Sequence, residues 1–144
     1  MSKHFPKMVA KATHKQVAQF KESNGAKGNE MFGKPVFLLE TVGRKSGEPR
    51  PVMLMLARRG DDVIAVGSNG GNPVTPNWYK NLIAADRTEV QVGADRWWTT
   101  AREVEGDERT ECWAIAAKAY PDFDTYAELT DRTIPVAVLE RVEA

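Results

Sequence analysis

A basic, glycine-containing segment has the residue types needed to bind an anion. Residues 43–50 include two glycines, the three cations Arg44, Lys45 and Arg50, and the hydroxyl of Ser46. Glycines let backbone N–H groups converge, and guanidinium and ammonium groups bind phosphate or carboxylate. The spacing does not match a Walker phosphate-binding loop. The segment therefore predicts an anion site, and an exposed hairpin with solvated side chains is the open alternative.

A second candidate is the loop at residues 67–73, which combines three glycines with polar residues and precedes a helix start. The N–H groups at a helix N-terminus attract anions, and the Ser68 hydroxyl could reach a carbonyl or a ring nitrogen. No parallel βαβ unit surrounds these glycines, which excludes a dinucleotide-binding fingerprint. An ordinary loop is the other interpretation of this segment.

Three aromatic residues are spaced so that they share one face of a helical segment. Tyr120, Phe123 and Tyr126 are three positions apart. Such a face could line a pocket over a planar ligand, although a packing stripe explains the same spacing. Nucleophilic catalysis is not supported, because both histidines lie in the N-terminal segment and no Gly-x-Ser-x-Gly motif is present. The residues alone predict an anion-binding rim beside an aromatic pocket.

The hydrophobic pattern predicts an α+β, mainly β fold, with the order βββαββααβ after an N-terminal helix. The predicted strands are residues 36–41, 52–57, 63–67, 89–92, 97–104 and 134–139. The predicted helices are residues 5–20, 77–85, 107–120 and 123–129. This order favours a small barrel whose openings are covered by helices. Residues 1–32 are predicted to form a helix and a linker, with a mobile helix and a helix lying on a surface as the two alternatives, and residues 33–144 are predicted to form the barrel domain.

The turns and caps make the prediction more specific. The first three strands follow one another on short turns, which predicts an antiparallel meander. The first two strands are apolar throughout, which predicts burial on both faces. Thr75 is expected to cap the second helix, with Pro76 at its first position, and Asp107 to cap the third.

Composition and charge exclude several classes of protein. The 144 residues are 42% hydrophobic and 28% charged, which is typical of one globular domain. No apolar run approaches the roughly 18 residues of a membrane-spanning helix, and no secretory signal is expected. A single cysteine and two histidines exclude a disulfide scaffold and a Cys/His zinc cluster. No metal site is expected, and a reducing cytoplasm is the expected location.

The formal net charge is zero, but the two halves of the chain differ. Residues 1–60 carry 12 Lys/Arg and 4 Asp/Glu, whereas residues 61–144 carry 8 and 16. This asymmetry predicts an anionic partner for the first half, unless the halves neutralise each other within the fold. The acidic second half argues against a nucleic acid as that partner.

Four motifs in order resemble the deazaflavin-dependent nitroreductases of actinobacteria. They lie at residues 41–50, 68–71, 76–82 and 130–136, and the resemblance extends from about Val36 to the C-terminus. That family has a split β-barrel fold related to flavin-mononucleotide oxidoreductases. It binds coenzyme F420, an 8-hydroxy-5-deazaflavin with a phosphodiester and an oligoglutamate tail. The resemblance therefore implies an anionic ligand for the basic segment.

The resemblance also implies roles for individual residues. The coenzyme tail or phosphate would be held by Arg44, Lys45, Ser46 and Arg50. Further coenzyme contacts would come from Pro51, Val52, Met53, Leu54, Met55, Val66, Gly67, Ser68, Asn69, Asn77, Trp78, Tyr79, Lys80, Asn81 and Phe123. Tyr120 and Tyr126 match aromatic positions that line the substrate pocket. The proton that follows the hydride is expected from Ser68, Tyr120 or Tyr126, with water as the open alternative. Phe123 stands where the family often has tyrosine, and Asn69 where some relatives have lysine.

A deazaflavin is an obligate hydride donor, so the protein must orient the acceptor rather than supply a strong catalytic group. The implied function is hydride transfer from reduced F420 to a flat acceptor such as a quinone, a nitroaromatic or a coumarin-type lactone. The alternatives are a flavin-mononucleotide enzyme on the same barrel, or a non-catalytic module that binds coenzyme or nucleic acid. The expected assembly is a monomer or a homodimer, with peripheral membrane contact through the basic N-terminal helix.

Overall fold

The computed structural model describes residues 5–68, 71 and 74–142. The helices are α1 (Phe5–Glu22), α2 (Asn77–Ala84), α3 (Gly106–Ala119) and α4 (Asp122–Glu128). The strands are β1 (Glu30–Met31), β2 (Lys34–Val42), β3 (Pro49–Met55), β4 (Arg58–Arg59), β5 (Asp62–Val66), β6 (Thr88–Val92), β7 (Asp95–Glu103) and β8 (Val136–Val142). None of these helices has both the length and the apolar character needed to cross a bilayer.

All strands pair antiparallel in a curled sheet, with the order β1-β2-β6-β7-β8-β5-β4 and with β3 on β2. This mainly β architecture confirms the predicted fold class. The predicted meander is only half correct. β2 and β3 form the expected hairpin, but β5 pairs with β8 and β4 rather than with β3. β3 ends at Met55, and a separate strand, β4, begins at Arg58 and pairs with β5. The Ala57 carbonyl extends this pairing by accepting a hydrogen bond from the Ile64 N–H at 2.9 Å, and β4 and β5 lie at the far end of the sheet.

β2 is buried on both faces, as its apolar sequence predicts. Phe37 and Leu39 face the barrel interior, and Leu38 faces the opposite side. On that side Val17 and Phe20 of α1 cover it, and Phe20 is fully buried. A helix packed outside the barrel therefore explains why this strand lacks the polar alternation of a half-exposed strand.

The same prediction is wrong for the second strand. Within β3 only Met53 is buried, and the residues on either side of it are partly exposed. Among the described strands β3 pairs only with β2, so it forms an edge of the sheet. Apolar residues on an edge strand indicate a surface that something else covers.

Two predicted helix caps are one or two residues away from the observed ones. Pro76, with extended backbone angles, is the N-cap of α2, and Asn77 is the first helical residue. The Thr75 hydroxyl does not cap the helix; it accepts a hydrogen bond from Arg132 at 3.5 Å. Glu105 precedes α3, and Asp107 lies within its first turn. An aspartate there still interacts favourably with the helix dipole.

An ion-pair network joins α3 to the sheet. Glu108 contacts the guanidinium groups of Arg59 in β4, at 2.9 Å, and Arg102 in β7, at 2.6 Å. Arg102 also pairs with Glu140 of β8 at 3.1 Å. One carboxylate thus holds two strands that are distant in sequence.

Replacing Glu108 with glutamine is expected to reduce the loss of stability in acid. The hydrogen bonds from Arg102 and then from Arg59 lower the pKa of the Glu108 carboxyl from about 4.5 to about 2. Because the folded pKa is the lower one, the carboxylate stabilises the fold above pH 4.5, and this contribution is lost as the pH falls toward 2. Urea denaturation across this range should give a shallower pH dependence for E108Q.

The matched control is E128Q, because Glu128 is exposed and has no ion pair among the described residues. This variant should keep the pH dependence of the unmodified protein. Equal slopes for E108Q and the unmodified protein would contradict the assigned role of the network.

Candidate functional site

The basic segment forms a closed turn between β2 and β3. The Gly43 N–H donates to the Glu48 carbonyl at 2.8 Å, and the Gly47 N–H donates to the Gly43 carbonyl at 2.8 Å. Gly47 has a φ of 74°, a conformation that favours glycine. The turn exposes all the predicted tail-binding side chains, Arg44, Lys45, Ser46 and Arg50.

A buried amide of α2 holds Arg44 in place. The Asn81 side-chain oxygen accepts a hydrogen bond from the Arg44 backbone N–H at 3.1 Å and another from its guanidinium Nη1 at 2.8 Å. Asn81 is buried, so both hydrogen bonds of this oxygen are shielded from water. Arg50 is ion-paired with Glu48 at 3.0 Å, and both side chains are exposed. Arg44 and Lys45 are therefore the cations of the turn that have no ion pair among the described residues.

The edge of β3 offers backbone groups to a ligand. The Leu56 N–H donates to the Pro35 carbonyl at 3.0 Å, so in this register the even-numbered residues of β3 bond to β2. The N–H and C=O groups of Met53 and Met55 point to the opposite side, where no described strand pairs with them. Pro49 and Pro51 also occupy odd positions of β3. Proline has no N–H to donate, and it is tolerated there because an edge strand needs no hydrogen bond on its open side.

The turn after β5 is held through several of its backbone groups. The Gly67 N–H donates to the Pro135 carbonyl at 2.9 Å. Arg132 donates from Nη2 to the carbonyls of Gly67, at 3.0 Å, and Ser68, at 2.9 Å. The Ser68 carbonyl also accepts from the Gly71 N–H at 3.0 Å. The Ser68 hydroxyl has no hydrogen bond to any described residue, so it is available to a ligand.

Tyr79 packs behind this turn. A Cβ at position 67 would lie 3.2 Å from the Tyr79 ring and 2.9 Å from the Pro135 Cγ, so glycine is required for this close approach. The Tyr79 hydroxyl donates to the Glu103 carboxylate at 2.7 Å. Burial and this hydrogen bond raise the pKa of Tyr79, which keeps its hydroxyl protonated. Tyr79 and Asn81 lie two residues apart, so one turn of α2 supports both the turn after β5 and the basic turn.

The three predicted aromatic residues form a cluster. The ring centroids of Tyr120 and Phe123 are 5.0 Å apart, and those of Tyr120 and Tyr126 are 6.0 Å apart. The two tyrosine hydroxyls are hydrogen-bonded at 2.9 Å. Burial, and then the hydrogen bond with Tyr126, raise the pKa of Tyr120. Tyr120 and Phe123 are buried, whereas Tyr126 is partly exposed.

The aromatic cluster is close to the turn after β5. A Cβ at Gly71 would lie 3.2 Å from the Tyr126 carbonyl oxygen and 2.9 Å from the Leu129 Cβ. Gly71 is hydrogen-bonded to Ser68, so α4 packs directly on the loop that carries this serine. The structure thus brings the second and third predicted segments together.

The other predicted site residues divide by exposure. Asn77 and Lys80 are exposed on α2, and Trp78 is partly exposed. The half-buried side chains in and beside β3 are those of Pro51, Val52, Leu54 and Met55. The side chains of Met53 and Val66 are buried in the core. Asn69 lies outside the described residues.

Sequence reasoning did not single out Arg132, Glu103 or the open edge of β3. Arg132 lies within the motif at residues 130–136, but its acceptors are 65 and 64 positions away in the chain. The part that Glu103 plays is likewise visible only from the hydrogen bond that it accepts from the Tyr79 hydroxyl. The position of Arg132 as a charged residue within a motif was the signal that the sequence offered. It did not reveal that the partners of Arg132 are the carbonyls of Gly67 and Ser68.

These surfaces suit a long ligand with an anionic end and a planar polar head. The exposed cations of the basic turn match the anionic end. A polar ring system matches the N–H and C=O groups of β3 that no described strand pairs with, and it also matches the Ser68 hydroxyl, which bonds to no described residue. No acidic or metallic catalytic group is needed for such a ligand to be held.

Known proteins share this sequence and this architecture. A family model described as F420H2-dependent quinone reductase matches residues 12–141. An F420H2-dependent quinone reductase of Mycobacterium tuberculosis is 37% identical over 128 residues, which are 86% of this chain and 86% of that protein.

Two solved structures have similar folds. An F420H2-dependent reductase named FDR-A is 42% identical with a TM-score of 0.69, over 74% of this chain and 94% of that one. Another, described as a domain-swapped dimer, is 38% identical with a TM-score of 0.72, over 88% and 96%. These similarities confirm the predicted split β-barrel and the resemblance noted in the sequence. This chain belongs to the F420H2-dependent quinone reductase family, and it is an F420-dependent oxidoreductase whose cofactor is coenzyme F420.

Proposed function

We propose that this enzyme reduces quinones, with nitroaromatics and activated enoates such as coumarin-type lactones as further acceptors. When bound, the reduced coenzyme supplies a hydride. The observation that carries the proposal is the packing of α4 on the loop of Ser68 and Gly71. It puts an aromatic cluster with two hydroxyl groups beside the loop assigned to the deazaflavin ring. A flat acceptor can stack there, and its oxygen can accept a proton.

We propose that the basic turn holds the phosphate and the oligoglutamate tail. Arg44 and Lys45 supply unpaired charge, Ser46 adds a hydroxyl, and Arg50 contributes after it exchanges Glu48 for the ligand. Asn81 acts behind the turn by fixing the Arg44 guanidinium. The positive charge that would bind the anion is concentrated in this turn, so a protein with a net charge of zero can still bind an anionic coenzyme.

We propose that the ring end of the coenzyme lies along the open edge of β3. The backbone of Met53 and Met55 would bind its polar atoms, while the Met53 side chain stays buried under α1. Ser68 would contact the ring from the turn after β5, with Tyr79 supporting that turn from behind. The remaining contacts are proposed for Pro51, Val52, Leu54, Val66, Gly67, Asn69, Asn77, Trp78, Lys80 and Phe123.

The protonation step is assigned to the two tyrosines. Reduction of a quinone to a quinol by one hydride requires one further proton. Tyr126 is partly exposed and can donate that proton to the acceptor oxygen. Tyr120, bonded to it at 2.9 Å, can pass a proton back to Tyr126 as water supplies the replacement proton to the pair. The raised pKa of Tyr120 keeps its hydroxyl protonated at neutral pH. Phe123 contributes a ring and no proton.

Reoxidation of F420H2 tests this function directly. The purified enzyme is mixed with F420H2, and the absorbance is followed with quinones, nitroaromatics and a coumarin. We expect rapid reoxidation with quinones. Reoxidation with the other acceptors alone would overturn the quinone assignment, and tight coenzyme binding without any reoxidation would indicate a carrier. Titration with flavin mononucleotide, followed by tryptophan fluorescence, should show no comparable binding.

Replacing Tyr126 with phenylalanine is expected to lower kcat for quinones by about tenfold or more, because general acid catalysis contributes at least this much. The ring is retained, so the dissociation constant of the coenzyme should not change. The solvent deuterium isotope effect on kcat should change as well, because a different donor then supplies the proton.

The control is Y120F, which removes a hydroxyl one position further from the acceptor and should have the smaller effect. Unchanged kcat and isotope effect in Y126F would show that another group, or water, delivers the proton.

We propose that the enzyme acts in the cytoplasm as a homodimer, since one similar structure is a domain-swapped dimer. Light scattering at several protein concentrations tests this, and a monomer throughout would contradict it.

We propose that α1 contacts the membrane surface through its lysines. Co-sedimentation with anionic vesicles should be weaker for K15E, which reverses the charge of an exposed lysine of α1, than for the unmodified protein. Equal binding would remove membrane contact from the function.

A further inference from the structure

Arg132 spans the base of the loop that follows β5. It precedes β8, and its Nη2 donates to the carbonyls of Gly67 at 3.0 Å and Ser68 at 2.9 Å. Its Nη1 reaches the Thr75 hydroxyl at 3.5 Å. Two acceptors lie where the loop begins and the third where it ends before α2. A single side chain thus connects both ends of the loop to the segment after α4.

The chemistry of this contact requires a guanidinium. Arg132 is partly buried, and burial lowers its pKa from the ordinary value, although arginine stays charged at neutral pH. Its planar fork can serve several carbonyls from fixed directions, whereas the ammonium of lysine is a point charge. A lysine at position 132 would therefore keep the charge and lose the geometry.

Arg132 binds the carbonyl side of the turn, whereas the other contacts of Gly67 involve its N–H and its Cα. The Gly67 N–H is bonded to Pro135, and the Gly67 Cα packs against Tyr79. Among the described residues, Arg132 is the charged side chain that binds the two carbonyls. The Gly67 carbonyl shares a peptide unit with the Ser68 N–H. Hydrogen bonding by a cation polarises that unit and makes its N–H a stronger donor.

We propose that Arg132 is a positioning residue for the coenzyme. It holds the turn so that the hydroxyl and the N–H of Ser68 are presented to the deazaflavin ring, and it touches neither ring nor acceptor. This inference rests on the proposed contact of Ser68 with the coenzyme. It predicts that the geometry of Arg132, and not its charge alone, sets coenzyme affinity and the alignment for hydride transfer.

The first test compares R132K with the matched control R109K. Arg109 is also partly buried and donates to a backbone carbonyl, that of Ile134, at 2.7 Å. R132K should raise the coenzyme dissociation constant and lower kcat, together about 10- to 100-fold in efficiency, as expected for a small misplacement. R109K should change both by less than about twofold, although each variant can lower the Tm.

Hydrogen exchange provides a measurement that needs no coenzyme. In the coenzyme-free protein, the amides of Gly67, Ser68 and Gly71 should exchange faster in R132K than in the unmodified protein, and their exchange should be unchanged in R109K. Equal exchange in the two variants would overturn the proposal, because the turn would then keep its shape without the guanidinium.

A double-mutant cycle decides whether Arg132 acts through Ser68. The effects of R132K and S68A on coenzyme affinity should be non-additive, because both variants disrupt the same contact between Ser68 and the coenzyme. Additive effects would overturn the proposal.

Chemical rescue provides a second criterion. Millimolar guanidinium should restore coenzyme affinity to R132A, and methylammonium should not. Rescue by both cations would show that charge alone suffices and would overturn the proposal.

The failure of this inference differs from the failure of the proposed function. If the unmodified enzyme binds F420H2 and reduces quinones while R132K behaves as R109K does, only the role of Arg132 is wrong. If the unmodified enzyme does not bind F420H2, the role of Arg132 and the contact of Ser68 are both wrong.

Discussion

The double variant R44A/K45A is expected to bind coenzyme F420 about 100-fold more weakly or worse. Hydrogen bonds to charged groups contribute about 1.5–3 kcal/mol each, and about 1.4 kcal/mol corresponds to a tenfold change in affinity. Arg44 is already oriented by Asn81, so little entropy is lost when it binds the tail. Quenching of tryptophan fluorescence during a coenzyme titration measures the effect.

The control for this variant is K27A/K118A, which removes the same charge from exposed lysines of the linker and α3. It should bind the coenzyme as the unmodified protein does. Titrations at rising salt should further show that R44A/K45A depends less on ionic strength, because the screened contacts are gone. Equal affinities of the two double variants would contradict the placement of the tail at this turn.

Replacing Phe20 with alanine is expected to lower the free energy of unfolding by about 3–5 kcal/mol. Phe20 is fully buried between α1 and the outer face of β2, so the change leaves a cavity at this contact. Lys21 also pairs with Glu40 of β2 at 3.0 Å, an exposed contact of little energetic weight. Urea denaturation followed by circular dichroism measures the loss.

The matched control is F32A. Phe32 is 64% exposed at the turn between β1 and β2, so its removal should change stability by less than about 0.5 kcal/mol. The pair also tests the prediction that residues 1–32 are a mobile segment. If F20A were as stable as F32A, α1 would not be part of the cooperative fold.

Much of the local structure follows from the sequence. The two-residue and 3.6-residue periods of apolar side chains predict where strands and helices lie, because those periods come from local backbone geometry. Burial of β2 on both faces was predictable for the same reason. The cap of α2 shows the limit, since Thr75 is a residue type that caps helices, but Pro76 is the N-cap and the Thr75 hydroxyl accepts a hydrogen bond from Arg132 instead.

The pairing of strands was less predictable, because hydrogen bonds between strands depend on the whole sheet. The short turn before β5 favours a hairpin with β3, yet β5 completes the sheet beside β8. That choice leaves β3 with an open edge. Because this edge is open, the backbone N–H and C=O groups of Met53 and Met55 are left for the proposed contact with the ring.

By itself, the sequence of this chain determined its family, its main elements and the basic turn that we propose as the site for the anionic end of the coenzyme. Those properties depend on residue types within short segments. The tertiary structure decided which groups work together: Asn81 with Arg44, Tyr79 with Gly67, and Arg132 with the carbonyl of Ser68. These partners are far apart along the chain, and no local preference encodes a contact that forms only when the sheet closes.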